Sequence, residues 1–111
     1  MALIARFIVL WDTPSDTEAF DKHYREVHIP LCRQLPGLRR YTLSRNPNPI
    51  VGEPFYQVAE LDWDNMTALR EAFAGEIGLR TAADGLVLRS WSAQRSMAIE
   101  LDVRYPVLSE G

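Results

Sequence analysis

A chain of 111 residues is the size of one domain, long enough to bury a core without disulfide or metal staples. Its 47% hydrophobic and 24% charged content are ordinary for a globular protein in water, and a net charge of -3 leaves no basic footprint for nucleic acid. A single cysteine, Cys32, excludes an intrachain disulfide and a cysteine-built metal site, and no apolar run approaches the ~20 residues of a membrane span.

The opening MALIARFIVLW has the apolar look of a signal peptide. Yet no basic segment precedes it, Arg6 interrupts it, and no small-residue cleavage site follows. It is read as a first strand over residues 3–11, and the protein is expected in the cytoplasm. Leu3, Ala5, Phe7, Val9 and Trp11 point one way; Ile4, Ile8 and Leu10 point the other, with Arg6 among them. A strand apolar on both faces is covered on both and sits centrally in its sheet. Ser15 and Glu18 then fit a capping box at a helix start. Along that helix Phe20, Tyr24, Val27, Leu31 and Leu35 form an apolar stripe. At ~100° per residue, His28 lies about 40° from the stripe, and His23 about 100° to its other side, on the flank facing water. Pro30 lacks a backbone N–H and kinks the helix near its last turns; Pro36-Gly37 ends it.

Residues 38–45 read as an edge strand carrying Tyr41, and the turn-rich NPNPIVGEP follows. Residues 55–63 are a third strand, with Phe55, Gln57, Ala59, Leu61 and Trp63 on one face. Asp64 is placed to cap a helix over residues 65–74. Gly75, Gly78 and Gly85 loosen the helical piece over 76–90, although Leu79, Ala82, Ala83, Leu86 and Val87 keep helical spacing. The last strand, residues 95–103, alternates through Met97, Ile99, Leu101 and Val103, and residues 104–111 form a tail. The order strand, helix, strand, strand, helix, strand is the split βαβ unit. It predicts one α+β, ferredoxin-like domain over residues 1–111, a four-stranded antiparallel sheet with helices on one face. The other sheet face needs a cover. A two-fold partner stacking its own sheet there predicts a homodimer.

The residues Phe20, His23-Tyr24, His28-Ile29-Pro30-Leu31, Leu35-Pro36-Gly37-Leu38 and Tyr41 resemble the EthD family of dimeric α+β-barrel proteins, named from ethyl tert-butyl ether degradation. The resemblance is strongest over residues 7–41 and continues over 55–63 and 69–83. It implies a ferredoxin-like fold assembled as a dimeric α/β barrel. Within that superfamily the methylmuconolactone methylisomerases are similar from a helix histidine through Pro-Gly-Leu to the next tyrosine. The resemblance therefore implies that His28 and Tyr41 bear on activity. The isomerases lack the proline that is Pro30 here. Polyketide-type cyclases of the superfamily carry a first-strand histidine whose place is about Arg6, so their full acid/base set does not carry over.

Read from the residues alone, His28 titrates near neutrality and suits a general acid or base at a carbon beside a carbonyl. The competing reading is a histidine whose ring bonds a backbone carbonyl freed by Pro30. Tyr41 suits a donor to a carbonyl or enolate oxygen; otherwise it is a strand aromatic at the rim. Tyr24, one turn before His28, lines the pocket or holds the imidazole tautomer, or is core. Arg6 binds an acidic substrate group or pairs with an acid of the protein. Trp63 belongs to an aromatic supply that lines a pocket or fills the core. With two histidines no metal site is expected, and without a Gly-rich phosphate loop no cofactor is expected. Two functional classes remain. One is a cofactor-independent isomerase, cyclase or lyase acting on a small hydrophobic or aromatic carbonyl compound; the other is a non-catalytic dimeric ligand-binding or accessory protein. A haem-using monooxygenase is a third reading.

Overall fold

The computed structural model describes residues 4–101. The expected tail over 104–111 and the outer ends of the first and last strands, Leu3 and Val103, lie outside the described residues. The elements are β1 (Ile4–Trp11), α1 (Thr17–His23), a π-helical turn (Tyr24–His28), α2 (Ile29–Cys32), β2 (Arg40–Leu43), β3 (Gln57–Trp63), α3 (Met66–Ala74), α4 (Glu76–Leu88) and β4 (Gln94–Leu101). The strands form one antiparallel sheet in the order β2-β3-β1-β4. This is the expected ferredoxin-like α+β arrangement.

The sheet's two faces follow the alternation of β1 and β3. Ala5, Val9 and Trp11 are buried beneath the helices, opposite Trp63, Ala59 and Gln57 in register. Phe20 is fully buried between Trp11 and Tyr24, with ring centroids 5.3 and 5.7 Å away. Trp63 is fully buried as well, and its indole N–H donates to the Pro36 carbonyl at 2.8 Å. That bond pins the chain between α2 and β2 to the sheet. Gly37 makes the turn possible there. It has φ 74°, and a Cβ would approach the Trp63 ring to 3.3 Å.

Both helix starts fall one residue later than the sequence suggested. The Asp16 carboxylate, not Ser15, accepts from the Ala19 N–H at 3.0 Å. Ser15 is held instead by its own N–H, which donates to the Trp91 carbonyl. Asn65, not Asp64, accepts from the Ala68 N–H at 2.8 Å, while Asp64 pairs with Arg39. In each case the cap sits three residues before the N–H it satisfies.

The second helical region differs more. Only Gly75 breaks it, and α4 runs uninterrupted for 13 residues. Its inward face is Gly78, Thr81 and Leu88. The expected apolar stripe turns outward instead, leaving Leu79 64% and Leu86 63% exposed. The two internal glycines have opposite reasons to exist. A Cβ on Gly78 would lie 2.4 Å from the Ala72 carbonyl oxygen and from Phe73 Cα, so α4 crosses the end of α3 too closely for any side chain. A Cβ on Gly85 would meet nothing within 4 Å. Gly78→Ala is therefore expected to lose about 2 kcal/mol or more through overpacking against backbone. Gly85→Ala should gain about 0.5–1 kcal/mol from helix propensity. Urea melts of both variants check this pair, and equal effects would contradict the crossing geometry.

Candidate functional site

The site begins with a helix that does not stay α-helical. Pro30 has no N–H to offer, and just before it the ladder shifts: the Ile29 N–H bonds the Tyr24 carbonyl, five residues back. In an α-helix His23 and His28 would point about 140° apart. Through the π turn they reach the same partner. Asp84 of α4 receives His28 Nδ1 on Oδ2 at 2.8 Å and His23 Nε2 on Oδ1 at 2.7 Å. A carboxylate only accepts, so both facing ring nitrogens carry hydrogen. His28 is thereby held as the Nδ1–H tautomer. Its Nε2 keeps a lone pair and has no hydrogen-bond partner among the described residues.

His28 borders a cavity of about 230 Å³ between helices and sheet. Tyr24, Tyr41 and Cys32 border it too, among apolar walls that include Phe7, Val9, Leu61 and Phe73. Arg89, at the end of α4, is the one permanently charged side chain on its wall among the described residues. The Tyr24 ring lies 5.0 Å from the His28 ring, and its hydroxyl is 2.9 Å from that of Tyr41. One hydroxyl donates to the other, and the accepting one keeps its own proton for a further partner. Burial raises both phenols well above the ordinary tyrosine range, so both remain donors at any working pH. Burial also pushes the Cys32 thiol up to about 11, which leaves it protonated and unreactive. Burial lowers His28, Asp84 raises it in part, and His23 lowers it further. The ring is therefore neutral at pH 7, the form a base needs.

Three of the five residues singled out from the sequence meet here: Tyr24, His28 and Tyr41. Arg6 and Trp63 do not. Arg6 lies on the opposite sheet face, where its guanidinium takes Asp62 at 2.7 and 3.0 Å and Glu60 at 3.0 Å. Trp63 is spent on Pro36 and borders no part of the cavity. Asp84 was not anticipated. The trace it leaves in the sequence is one acid set among small and apolar residues, AADGL, three after Thr81 and four before Leu88, both buried. His23 was expected to face water, because α-helical geometry was assumed through Pro30.

No group of three or more His, Cys, Asp or Glu side chains among the described residues is arranged to hold a metal ion. Asp84 meets each imidazole at hydrogen-bond distance, with no room for an ion between. The cavity is also smaller than the ~300–1,000 Å³ sites that take drug-sized ligands, and a haem macrocycle is larger than such ligands. The site therefore does not fit haem.

The EthD domain model matches residues 13–85, a span that takes in Tyr24, His28, Tyr41 and Asp84. An 11.0 kDa protein from the thcB-thcC intergenic region of Rhodococcus erythropolis is 32% identical over 81 residues, covering 71% of this chain and 78% of its own length. The chain belongs to the EthD family. The crystal structure of an ethyl tert-butyl ether degradation family protein from Bacillus halodurans is 28% identical, with a TM-score of 0.74 over 85% of this chain and 96% of that one. SnoaB from Streptomyces nogalater, a cofactor-independent oxygenase, shares the fold at 18% identity, with a TM-score of 0.68 over 94% of this chain and 98% of its own. So does a dimeric ferredoxin-like protein from Thermobifida fusca, at 14% identity and a TM-score of 0.66, with 93% of each chain covered.

The lowered proton affinity of His28 makes stability depend on pH. An ordinary histidine takes its proton near 6.5, and folded His28 takes it lower. Between those two points the unfolded chain binds more protons, so stability rises with pH there and is lost as pH falls below about 6.5. Calorimetry should show Tm falling on acidification from about pH 7 to 5. His28→Gln should flatten that slope; an unchanged slope would mean His28 is not buried as described.

Proposed function

We propose that the cavity binds a small aromatic or otherwise ring-bearing carbonyl compound, and that His28 moves a proton at the carbon beside that carbonyl in a cofactor-independent isomerisation or cyclisation. The observation that carries this reading is the Asp84-held His28, its Nε2 without a partner among the described residues and its ring bordering the same cavity as the hydrogen-bonded Tyr24 and Tyr41. A base, a neutral donor and dry walls are what enolisation requires. The base takes the proton, the donor holds the oxygen that gains charge, and low polarity strengthens both interactions. A cavity of roughly 150 Å³ accepts benzene, so 230 Å³ fits one ring with its substituents. Arg89 would receive an acidic substituent at the wall. SnoaB's activity as an oxygenase favours a second reading, in which the carbanion formed by His28 meets dioxygen rather than a new proton.

Ring ketones such as 2-indanone and 2-tetralone, followed by proton NMR in D₂O, test the proton transfer. The protein should accelerate exchange at the carbon beside the carbonyl. His28→Gln should lose about 10²–10⁴-fold of that rate, and Tyr41→Phe about 10²–10³-fold. Oxygen uptake in the same mixture selects the oxygenase reading. Ketone binding without exchange selects the non-catalytic one. Full exchange by folded His28→Gln would end the acid/base assignment.

We also propose a homodimer formed through the outer sheet face. Ile4, Ile8, Leu10, Met97, Ile99 and Leu101 share that face, with Met97 and Leu101 exposed. Arg6, Asp62 and Glu60 satisfy one another in its midst, so the face presents few unpaired charges to a copy of itself. Sheet stacking buries such a face, and the dimeric Thermobifida fusca relative shares this architecture. Light scattering should give a mass of two chains. Met97→Lys with Leu101→Lys should give one chain without loss of fold; an unaltered dimer would place the interface elsewhere.

A further inference from the structure

We propose that His23, Asp84 and His28 act as one unit holding a single proton between two imidazoles, so that His23 on the solvent side sets whether His28 meets the cavity as base or as acid. The proposal rests on the reading of His28 as the proton-moving group and assigns His23 a positioning role in it.

Both Asp84 oxygens are occupied, at 2.7 and 2.8 Å, by two different rings. One carboxylate carries one negative charge, enough to balance one imidazolium and not two. The three side chains grade from the interior outward: Asp84 is 10% exposed, His28 13% and His23 22%. A second cation there would be poorly hydrated. Among the described residues Asp84 is the one acid that pairs with either ring. Tyr24 and Cys32 of the same helix and Tyr41 of β2 all stay protonated, because burial raises each of them. Arg89 of α4 adds positive charge on the cavity wall. Trp91, 5.8 Å from the His23 ring, is uncharged. Protonation of the two rings is therefore close to mutually exclusive, and the influence of His23 on His28 has that sign.

The consequence for a reaction cycle is specific. The substrate C–H bond breaks, its proton bonds His28 Nε2, and the electron pair stays on the substrate as an enolate whose oxygen accepts from a tyrosine hydroxyl. If His23 held a proton on Nδ1, that proton leaves to water as His28 becomes cationic. When His28 returns its proton to a product carbon, Asp84 is again free to balance His23. The outer ring thus trades a proton with solvent while the inner ring trades one with the substrate, and no charge accumulates between them.

The chain has two histidines, so imidazole NMR resolves the unit without any ligand. In the unaltered protein each ring signal should titrate in two steps, the second reporting the other ring. In His23→Gln, whose amide can still donate to Asp84, His28 should titrate in one step with its midpoint raised by roughly one unit. In Asp84→Asn that midpoint should fall. The low-pH limb of kcat/KM for ketone exchange should move with the His28 midpoint in His23→Gln, while the high-pH plateau holds. Independent single-step titrations in the unaltered protein would overturn the unit, as would an unmoved His28 midpoint in folded His23→Gln. Coupled titration in a protein that exchanges no ketone would support the unit and count against the catalytic reading alone.

Discussion

The site depends on one carboxylate reaching two rings on a neighbouring helix. Asp84 accomplishes this only because the helix carrying His23 and His28 widens into a π turn before Pro30. Regular α-helical winding would send the two rings apart by about 140°, and one would be left in water. Pro30 is thus more than a helix stop. Its missing N–H loosens the ladder where the widened turn forms, and the Ile29 N–H completes that turn by reaching Tyr24. Tyr24 in turn places its ring beside His28 and its hydroxyl on Tyr41. One backbone irregularity therefore arranges the two imidazoles and the two hydroxyls together.

The rest of the fold surrounds that arrangement with largely apolar walls, on which Arg89 is the charged neighbour. The inner sheet face under the helices supplies Phe7, Val9, Trp11 and Leu61 as walls. Three of the sheet's charged residues, Arg6, Asp62 and Glu60, lie on the outer face and pair with one another there. Had Arg6 occupied the other parity of β1, a second permanent cation would have joined Arg89 at the cavity wall. The strand alternation is what prevents it. Gly78 contributes in a similar way: by letting α4 press onto the end of α3, it sets the height at which Asp84 meets the two histidines.

Much of the architecture could be read from the chain because its signals are local. The strand alternation of β1 and β3, the Pro36-Gly37 stop and the turn-rich loop after β2 each specify an element without knowledge of its neighbours. His28, Tyr24 and Tyr41 were legible for the same reason, and the EthD pattern around them is contiguous. Asp84 was not, because it lies 56 residues beyond His28 and only tertiary packing joins them. The face of α4 misled for a related cause. Hydrophobic spacing pointed Leu79, Leu86 and Val87 inward, whereas the inward face is chosen by what it must meet: the close backbone at Gly78 and the two imidazoles at Asp84. His23 was misplaced by a single assumption, that the helix keeps 3.6 residues per turn through Pro30.

The division of labour within the site also bears on how one fold serves different reactions. The hydrogen-bonded carboxylate and imidazoles sit on the helices: His23 and His28 before Pro30, and Asp84 on α4. Tyr41 comes from the edge strand β2, and much of the apolar wall comes from β1 and β3. On the proposed function, substitutions in the β1 and β3 wall would change which ring fits without touching Asp84 or the two histidines. On the same reading a change at Asp84, which does not line the cavity, would alter the charge state of His28 instead. On that reading substrate choice and acid/base strength would rest largely on separate elements, and a chain of this fold could vary one while the other stays in place.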